Sequence, residues 1–304
     1  MRTIHLDQDR RPDHPARHPQ SRDFNSATLA APNLYAAAAD GTHYAYREVG
    51  NAEDRPLVVL QHFRGNLDNW DPALIDALAQ QRRVIAVDYR GVGGSTGHPA
   101  DTVEQMARDT LAFTDALQLT TFDLLGFSIG SFVAQRVTLA RPDAVRKVVL
   151  ASTAPQGARG MHGWAPEVIG AVGKPEPSPA EYLSVLFAPS ARSRAAGQES
   201  LQRQHTRQQD RDATTDWATR IAQYDAVAKW GVPNSGLFDE LAALTAPVFV
   251  ANGDSDPMIL PRYSHLIAGL LPNAVIKIYE DAAHGFLFQH YAEFAADALE
   301  FLDS

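Results

Sequence analysis

The sequence contains no cysteine among its 304 residues. This absence excludes disulfide bonds, thiolate nucleophiles and cysteine-ligated metal sites. No apolar run approaches the roughly 18 residues that a membrane-spanning helix needs. The first twenty residues also lack the apolar segment of a secretory signal. These absences together predict a protein that has no membrane span and works in the cytoplasm.

Positive charge is also scarce. Lysine and arginine number 27 against 36 aspartates and glutamates, which gives a formal net charge of -9. Nucleic-acid-binding proteins usually carry a basic face, so we expect a small-molecule substrate and no nucleic-acid partner. Hydrophobic residues make up 45% of the chain, which is enough for one large domain. The sequence leaves the oligomeric state open, a homodimer included.

Hydrophobic patterning divides the chain. Residues 1–33 are rich in Arg, His, Pro and Asp without periodicity, which predicts a flexible N-terminal arm. From Thr42 onward, short apolar runs typical of strands alternate with segments of helical spacing. The predicted strands are 42–49, 57–63, 84–88, 122–127, 145–151, 247–252 and 275–279, and the predicted helices are 71–80, 102–117, 129–139, 261–271 and 286–302. This alternation predicts an α/β fold with a mostly parallel sheet flanked by helices.

The alternation stops between residues 156 and 239. This stretch contains three closely spaced prolines, a long polar run of helical character and scattered aromatic residues. It is too long for a plain loop, so we interpret it as a helical lid inserted into a core domain of residues 34–155 and 240–304. Two roles remain open for the lid aromatics, lining an acyl pocket or forming the core of the lid. They are Trp164, Tyr182, Phe187, Trp217, Tyr224 and Trp230.

The segment Gly126-Phe127-Ser128-Ile129-Gly130 fits G-x-S-x-G, a sharp strand-to-helix turn that exposes a serine hydroxyl. A second match surrounds Ser95, so the motif needs support from its context. Ser128 follows a predicted strand and precedes a predicted helix, whereas Ser95 lies in a glycine-rich loop. Ser128 is therefore the predicted nucleophile.

A serine hydroxyl needs a base to take its proton, and the base needs a carboxylate to orient it. His284 follows the last predicted strand, at the edge of the sheet where Ser128 also lies, and it is the predicted base. Two carboxylates, Asp254 and Asp256, follow the strand before it. We favour Asp256, because it is further along its loop and Asp254 is better placed to cap the turn.

A tetrahedral intermediate also needs backbone N–H donors for its oxyanion. One predicted donor is Ile129, directly after the nucleophile. The other is expected from the loop at residues 62–66, which follows the strand 57–63.

The segments QHFRGNLDNW, DYRGVGGS, GFSIG, NGDSDPMILP and AAHGF follow one another in this order. In these segments the chain resembles the α/β-hydrolase superfamily, particularly its lid-bearing esterases and cofactor-free haloperoxidases. The resemblance covers residues 40–303. It implies the α/β-hydrolase fold, a Ser-His-Asp triad, no cofactor or metal, and a substrate that enters beneath the lid.

One segment departs from the family pattern. The usual His-Gly pair of the oxyanion loop reads Gln61-His62 here. An ungapped comparison gives Phe63 as the second oxyanion donor, whereas a shift of one residue gives Arg64. We predict Phe63 and Ile129 as the donors.

These residues predict a serine hydrolase that cleaves a small carboxylic ester, or a related acyl substrate, through a covalent acyl-enzyme. Perhydrolysis of the haloperoxidase kind and carbon–carbon bond hydrolysis are alternatives that use the same triad. A ligand-binding receptor that keeps the fold without catalysis is an alternative of another class.

Overall fold

A mixed sheet of eight strands forms the centre of the computed structural model, which describes residues 26–161 and 163–304. The strands are β1 (Leu34–Ala37), β2 (His43–Val49), β3 (Pro56–Leu60), β4 (Arg83–Val87), β5 (Phe122–Phe127), β6 (Val145–Ala151), β7 (Val248–Gly253) and β8 (Ala274–Tyr279). Their spatial order is β1-β2-β4-β3-β5-β6-β7-β8. The pairs β1–β2 and β2–β4 are antiparallel and all other pairs are parallel.

Helices flank this sheet within the described residues. They are α1 (Ala27–Ala30), α2 (Pro72–Leu78), α3 (Val103–Ala116), α4 (Ile129–Ala140), α5 (Pro166–Val172), α6 (Pro179–Leu186), α7 (Ala191–Gln204), α8 (Trp217–Trp230), α9 (Ser235–Ala242), α10 (Pro261–Leu270), α11 (Phe286–Gln289) and α12 (Tyr291–Asp303), with a 3-10 helix at Leu67–Asn69. Across the two described ranges, no helix has both the length and the hydropathy to cross a membrane. The predicted α/β architecture, with a mostly parallel sheet and a helical insert, is confirmed.

The central strands owe their position to burial on both faces. Every residue of β5 and of β7 is buried, as expected for apolar runs in a parallel sheet covered by helices. Because β3 to β8 are parallel, their carboxyl ends meet along one edge, where ligands of open α/β sheets bind. That edge carries the loops that contain the predicted site residues.

The first strand and the last predicted helix differ from the sequence prediction for clear physical reasons. β1 was not predicted, since four residues with little alternation become a strand only by pairing with β2. The predicted helix 286–302 is divided into α11 and α12, because His290 has non-helical backbone angles of φ -105° and ψ 35°.

The start of the described chain is docked on the domain. The backbone N–H and the hydroxyl of Thr28 both donate to Asp76 Oδ1, at 2.9 and 2.7 Å. The side chain of Arg207, from the loop between α7 and α8 of the insert, donates to the carbonyls of Leu29 and Ala31. Residues 26–33 of the predicted flexible arm therefore pack against the core and the insert. The rest of the predicted arm, residues 1–25, lies outside the described residues.

The insert between β6 and β7 consists of α5 to α9, and the predicted lid limit at residue 239 falls inside α9. Most of its aromatic residues form internal contacts. Trp164 packs edge-on against Phe63 and Tyr224, and Trp230 stacks on Phe132 of the core. Of the six lid aromatics, Tyr182 is the one that lines the cavity described below. Trp164, Phe187 and Trp230 are buried in packing contacts, whereas Trp217 is exposed.

Candidate active site

Ser128 lies in the turn between β5 and α4, with φ 58° and ψ -123°. Residues other than glycine rarely adopt this strained backbone conformation, which turns the serine hydroxyl out of the strand. The two flanking glycines make the turn possible. A Cβ on Gly126 would lie 2.2 Å from the carbonyl oxygen of Gly130, and a Cβ on Gly130 would lie 2.3 Å from that of Leu60. Both contacts are with backbone, so neither position accepts a larger residue.

Three predicted site residues from distant parts of the chain meet at this turn. Ser128 Oγ lies 2.9 Å from Nε2 of His284, and Nδ1 of the same ring lies 2.8 Å from Asp256 Oδ2. All three side chains are buried, with at most 3% of each residue exposed. The carboxylate is an acceptor, so Nδ1 carries the hydrogen and Nε2 is free to accept the serine proton.

The two carboxylates of the β7 loop have different partners. Asp256 Oδ1 accepts from the backbone N–H groups of Met258 and Ile259, which fixes its other oxygen toward the imidazole. Asp254 is exposed and accepts from the backbone N–H groups of Asp281 and Ala282. The structure therefore brings Asp256 to the histidine and uses Asp254 to join two loops.

Ser95, the other G-x-S-x-G serine, is a buried loop residue. Its hydroxyl donates to the carbonyl of Asp88 and accepts from the N–H of Ala45, both at 2.9 Å. Its hydrogen-bonding capacity is used for structure, and neither partner is a base.

Backbone donors near Ser128 separate the two oxyanion alternatives. The N–H of Arg64 donates to Gln223 Oε1 at 2.6 Å and is therefore occupied. The N–H groups of Phe63 and Ile129 have no protein acceptor in the part of the chain that the structure describes. This difference favours Phe63 and Ile129 as the pair that stabilises an oxyanion.

The guanidinium of Arg64 is already hydrogen-bonded within the protein. It donates to the carbonyls of Lys174 and Pro175, at 2.8 and 2.9 Å. These bonds connect the loop after β3 to the loop between α5 and α6 of the insert.

A cavity of about 350 Å³ opens onto Ser128 and His284. Its wall is mixed in character. Apolar lining comes from Phe63, Val172, Tyr182, Leu186, Leu201 and Met258, and polar lining includes His62, Asn66, Asp68, Gln204, Arg211 and Asp212. The insert supplies much of both groups, so the cavity lies between the core and the lid.

A carboxyl pair joins the core to the lid beside this cavity. The N–H of Leu67 donates to both Asp88 Oδ1 and Asp212 Oδ2, at 2.9 and 3.0 Å. Burial raises the pKa of Asp88 well above its ordinary range, and the charge of Asp212 raises it further. Burial also raises the pKa of Asp212, and the shared Leu67 donor connects the core to the lid. The sequence offered no signal for this contact.

Asn252 is a further residue that the motif analysis did not assign. Its buried amide accepts from the Ser152 hydroxyl and donates to the Ile259 carbonyl and the Ser264 hydroxyl. It thereby anchors the loop that carries Asp256. Its position at the end of a strand, just before GDSDP, was the available signal.

His62 is almost completely buried, with 8% of its surface exposed, and it lines the cavity. Its Nδ1 lies 2.9 Å from the carbonyl oxygen of Phe63, and this contact helps to hold the loop after β3. Burial lowers its pKa from 6.5 to about 4. His62 is therefore an uncharged imidazole at neutral pH.

This burial predicts an acid-sensitive contribution to stability. The unfolded state binds a proton at His62 near pH 6.5 and the folded state only near pH 4, so stability falls as the pH drops through this window. Between pH 7 and pH 5 we expect the free energy of unfolding to fall by about 2 kcal/mol more in the wild type than in His62→Asn. Urea unfolding at both pH values measures the difference. Parallel pH profiles for the two proteins would contradict it.

Comparisons with known proteins identify the family of the chain. A family model described as the alpha/beta hydrolase fold matches residues 55–291. The non-heme chloroperoxidase of Streptomyces lividans is 29% identical over 288 residues, which cover 87% of this chain and 98% of the relative.

Solved structures of α/β hydrolases are also similar to this chain. An alpha/beta hydrolase fold protein from Chitinophaga pinensis is 37% identical, with a TM-score of 0.86, over 91% of this chain and 99% of that protein. The esterase RhEst1 from Rhodococcus sp. ECU1013 is 24% identical, with a TM-score of 0.69, over 90% and 98% of the two chains, and shows likeness of fold alone. The family model covers most of the chain, and the structural match extends to both ends of the Chitinophaga protein. The chain therefore belongs to the α/β-hydrolase fold family.

Proposed function

We propose that the protein is a serine hydrolase that cleaves small carboxylic esters through an acyl-enzyme formed on Ser128. The observation that carries this proposal is the hydrogen-bonded series from Ser128 through His284 to Asp256 at the wall of a cavity. This series supplies a nucleophile, a base and a carboxylate that orients the base.

In the first step, Ser128 Oγ attacks the carbonyl carbon of the ester while its proton passes to Nε2 of His284. The carbon–oxygen bond to the alcohol then breaks, and the imidazolium returns the proton to the departing alkoxide. The product of this step is an acyl-enzyme and a free alcohol. Asp256 stabilises the imidazolium, because its carboxylate accepts the Nδ1 hydrogen.

In the second step, His284 takes a proton from water, whose oxygen attacks the acyl carbon. The bond to Ser128 Oγ breaks, the proton returns to that oxygen, and the carboxylic acid leaves. The N–H groups of Phe63 and Ile129 stabilise the oxyanion in both steps, since both are free of protein acceptors among the described residues.

The proposal is tested with purified protein and two measurements. A fluorophosphonate probe is expected to label Ser128, located by peptide mapping. Rapid mixing with p-nitrophenyl butanoate is expected to give a burst of nitrophenol close to one equivalent, followed by a slower steady rate, if deacylation limits turnover. Failure to label Ser128, together with no ester turnover, would favour the ligand-binding receptor with this fold.

The Streptomyces lividans relative favours perhydrolysis as a second candidate function, because its name describes a non-heme chloroperoxidase. In perhydrolysis, hydrogen peroxide replaces water in the second step and the acyl group leaves as a peracid. Peracid formation from acetate esters and peroxide, compared with ester hydrolysis by the same preparation, distinguishes the two. Carbon–carbon hydrolysis requires a diketone substrate and is tested by the same turnover assay with that substrate.

A further inference from the structure

His62 and Tyr182 meet on the cavity wall beside the triad. His62 belongs to the core loop after β3, and Tyr182 belongs to lid helix α6. Both line the same cavity as Ser128 and His284. His62 Nε2 and the Tyr182 hydroxyl oxygen lie 3.5 Å apart, at the outer limit of a hydrogen bond. The two groups are therefore close enough to bind one ligand atom together, but the hydrogen bond between them is weak.

The donor and acceptor roles of this pair follow from its surroundings. Nδ1 of His62 faces the carbonyl oxygen of Phe63, which only accepts, so Nδ1 carries the hydrogen. The ring is uncharged at neutral pH, because burial keeps its pKa near 4. Nε2 is consequently an acceptor without a hydrogen. The Tyr182 phenol stays protonated, because burial and the charge of Asp71 raise its pKa.

The spacing of the two atoms fits a third polar atom. An oxygen about 2.8 Å from each of two atoms separated by 3.5 Å completes an ordinary hydrogen-bonding triangle. That oxygen must donate to His62 Nε2 and accept from the Tyr182 hydroxyl. A ligand hydroxyl does both. A carbonyl or carboxylate cannot donate to Nε2, and an amide N–H cannot accept from Tyr182.

We propose that His62 and Tyr182 form a hydroxyl-binding subsite, and that the preferred substrates are esters carrying a hydroxyl group near the scissile carbonyl. The inference rests on the proposed ester hydrolysis at Ser128 and adds the class of substrate. The subsite also gives the ester a second fixed point besides the reacting carbonyl. One enantiomer of a chiral hydroxy ester should then be preferred, since the two fixed points and contact with the cavity wall together give the three interactions that distinguish mirror images.

The test compares ethyl butanoate with ethyl lactate, with both enantiomers of ethyl 3-hydroxybutanoate and with 2-hydroxyethyl butanoate. Acid release is followed with a pH indicator. We expect at least one hydroxylated ester to exceed ethyl butanoate in kcat/KM by about tenfold or more, because a polar site left unfilled by the plain ester disfavours it. We expect Tyr182→Phe and His62→Asn each to lower this ratio about five- to tenfold and to reduce the enantiomeric preference.

The two variants remove different halves of the subsite. Tyr182→Phe deletes only the hydroxyl. In His62→Asn, the amide N–H of the asparagine can replace Nδ1 as the donor to the Phe63 carbonyl, but the acceptor at Nε2 is lost. Trp217→Phe, at an exposed lid position, is the matched control and should leave the ratio unchanged.

The outcomes distinguish this inference from the proposed function. Equal kcat/KM values for plain and hydroxylated esters, or variants that slow both classes equally, overturn the subsite while leaving ester hydrolysis intact. Faster turnover of ethyl 3-aminobutanoate than of every hydroxy ester overturns the choice of a hydroxyl. Absence of turnover for all esters, together with an unlabelled Ser128, is the failure of the proposed function.

Discussion

Ser128→Ala is expected to lower kcat for p-nitrophenyl butanoate by about 10⁴- to 10⁶-fold and to abolish fluorophosphonate labelling. The variant leaves His284 and Asp256 in place, but no atom remains to form the acyl bond. The only rate left is that of direct attack by water in a site with oxyanion donors. Steady-state turnover and in-gel fluorescence measure the two effects on one preparation.

Ser95→Ala is the matched control, because it removes the hydroxyl of the other G-x-S-x-G motif. It loses two internal hydrogen bonds, to the Asp88 carbonyl and from the Ala45 N–H, so stability should fall by about 1 kcal/mol or more. Activity and labelling of the folded protein should stay within a few-fold of wild type. Loss of labelling in Ser95→Ala, with labelling retained in Ser128→Ala, would reverse the assignment of the nucleophile.

Asp256→Asn is expected to lower kcat by about 10⁴-fold. The asparagine Oδ1 can still accept from the N–H groups of Met258 and Ile259, so the loop is expected to keep its shape. Its amide nitrogen then occupies the Oδ2 position and donates toward His284. This favours the tautomer with hydrogen on Nε2, which cannot accept the proton of Ser128.

Asp254→Asn is the control for charge and loop position. Asp254 accepts from two backbone N–H groups of the neighbouring loop and does not contact the imidazole. Its substitution should change kcat by no more than a few-fold, although the melting temperature should fall. A large loss of kcat in Asp254→Asn with near-normal Asp256→Asn would show that the wrong carboxylate has been assigned. Both variants are compared by kcat and by thermal unfolding.

Several parts of the molecule were accessible to pattern reasoning because the signal is local. The buried runs in β5 and β7 are continuous, and GFSIG combines a strand end, a strained serine and two glycines within five residues. The meeting of Ser128, Asp256 and His284 could also be expected, since each follows a parallel strand (β5, β7 and β8) and parallel strands place their loops at one edge.

Other parts were not accessible, because the deciding contact joins residues far apart in the chain. Phe63 and Arg64 are adjacent and both have a backbone N–H. They differ because Gln223, about 160 residues away, occupies only the donor of Arg64. In the same way, Asp212 on the lid adds to the rise that burial causes in the pKa of Asp88.

Local sequence patterns thus predict the fold family and the proposed nucleophile and base, because periodicity and turn chemistry act within a few residues. The shape and polarity of the cavity arise only when the insert packs over the sheet and brings Tyr182 against His62. Side chains on separate elements have no periodic relation in sequence, and their packing sets which donors and acceptors remain available to a substrate. The class of substrate is therefore decided by how the core and the lid pack together, and not by local sequence.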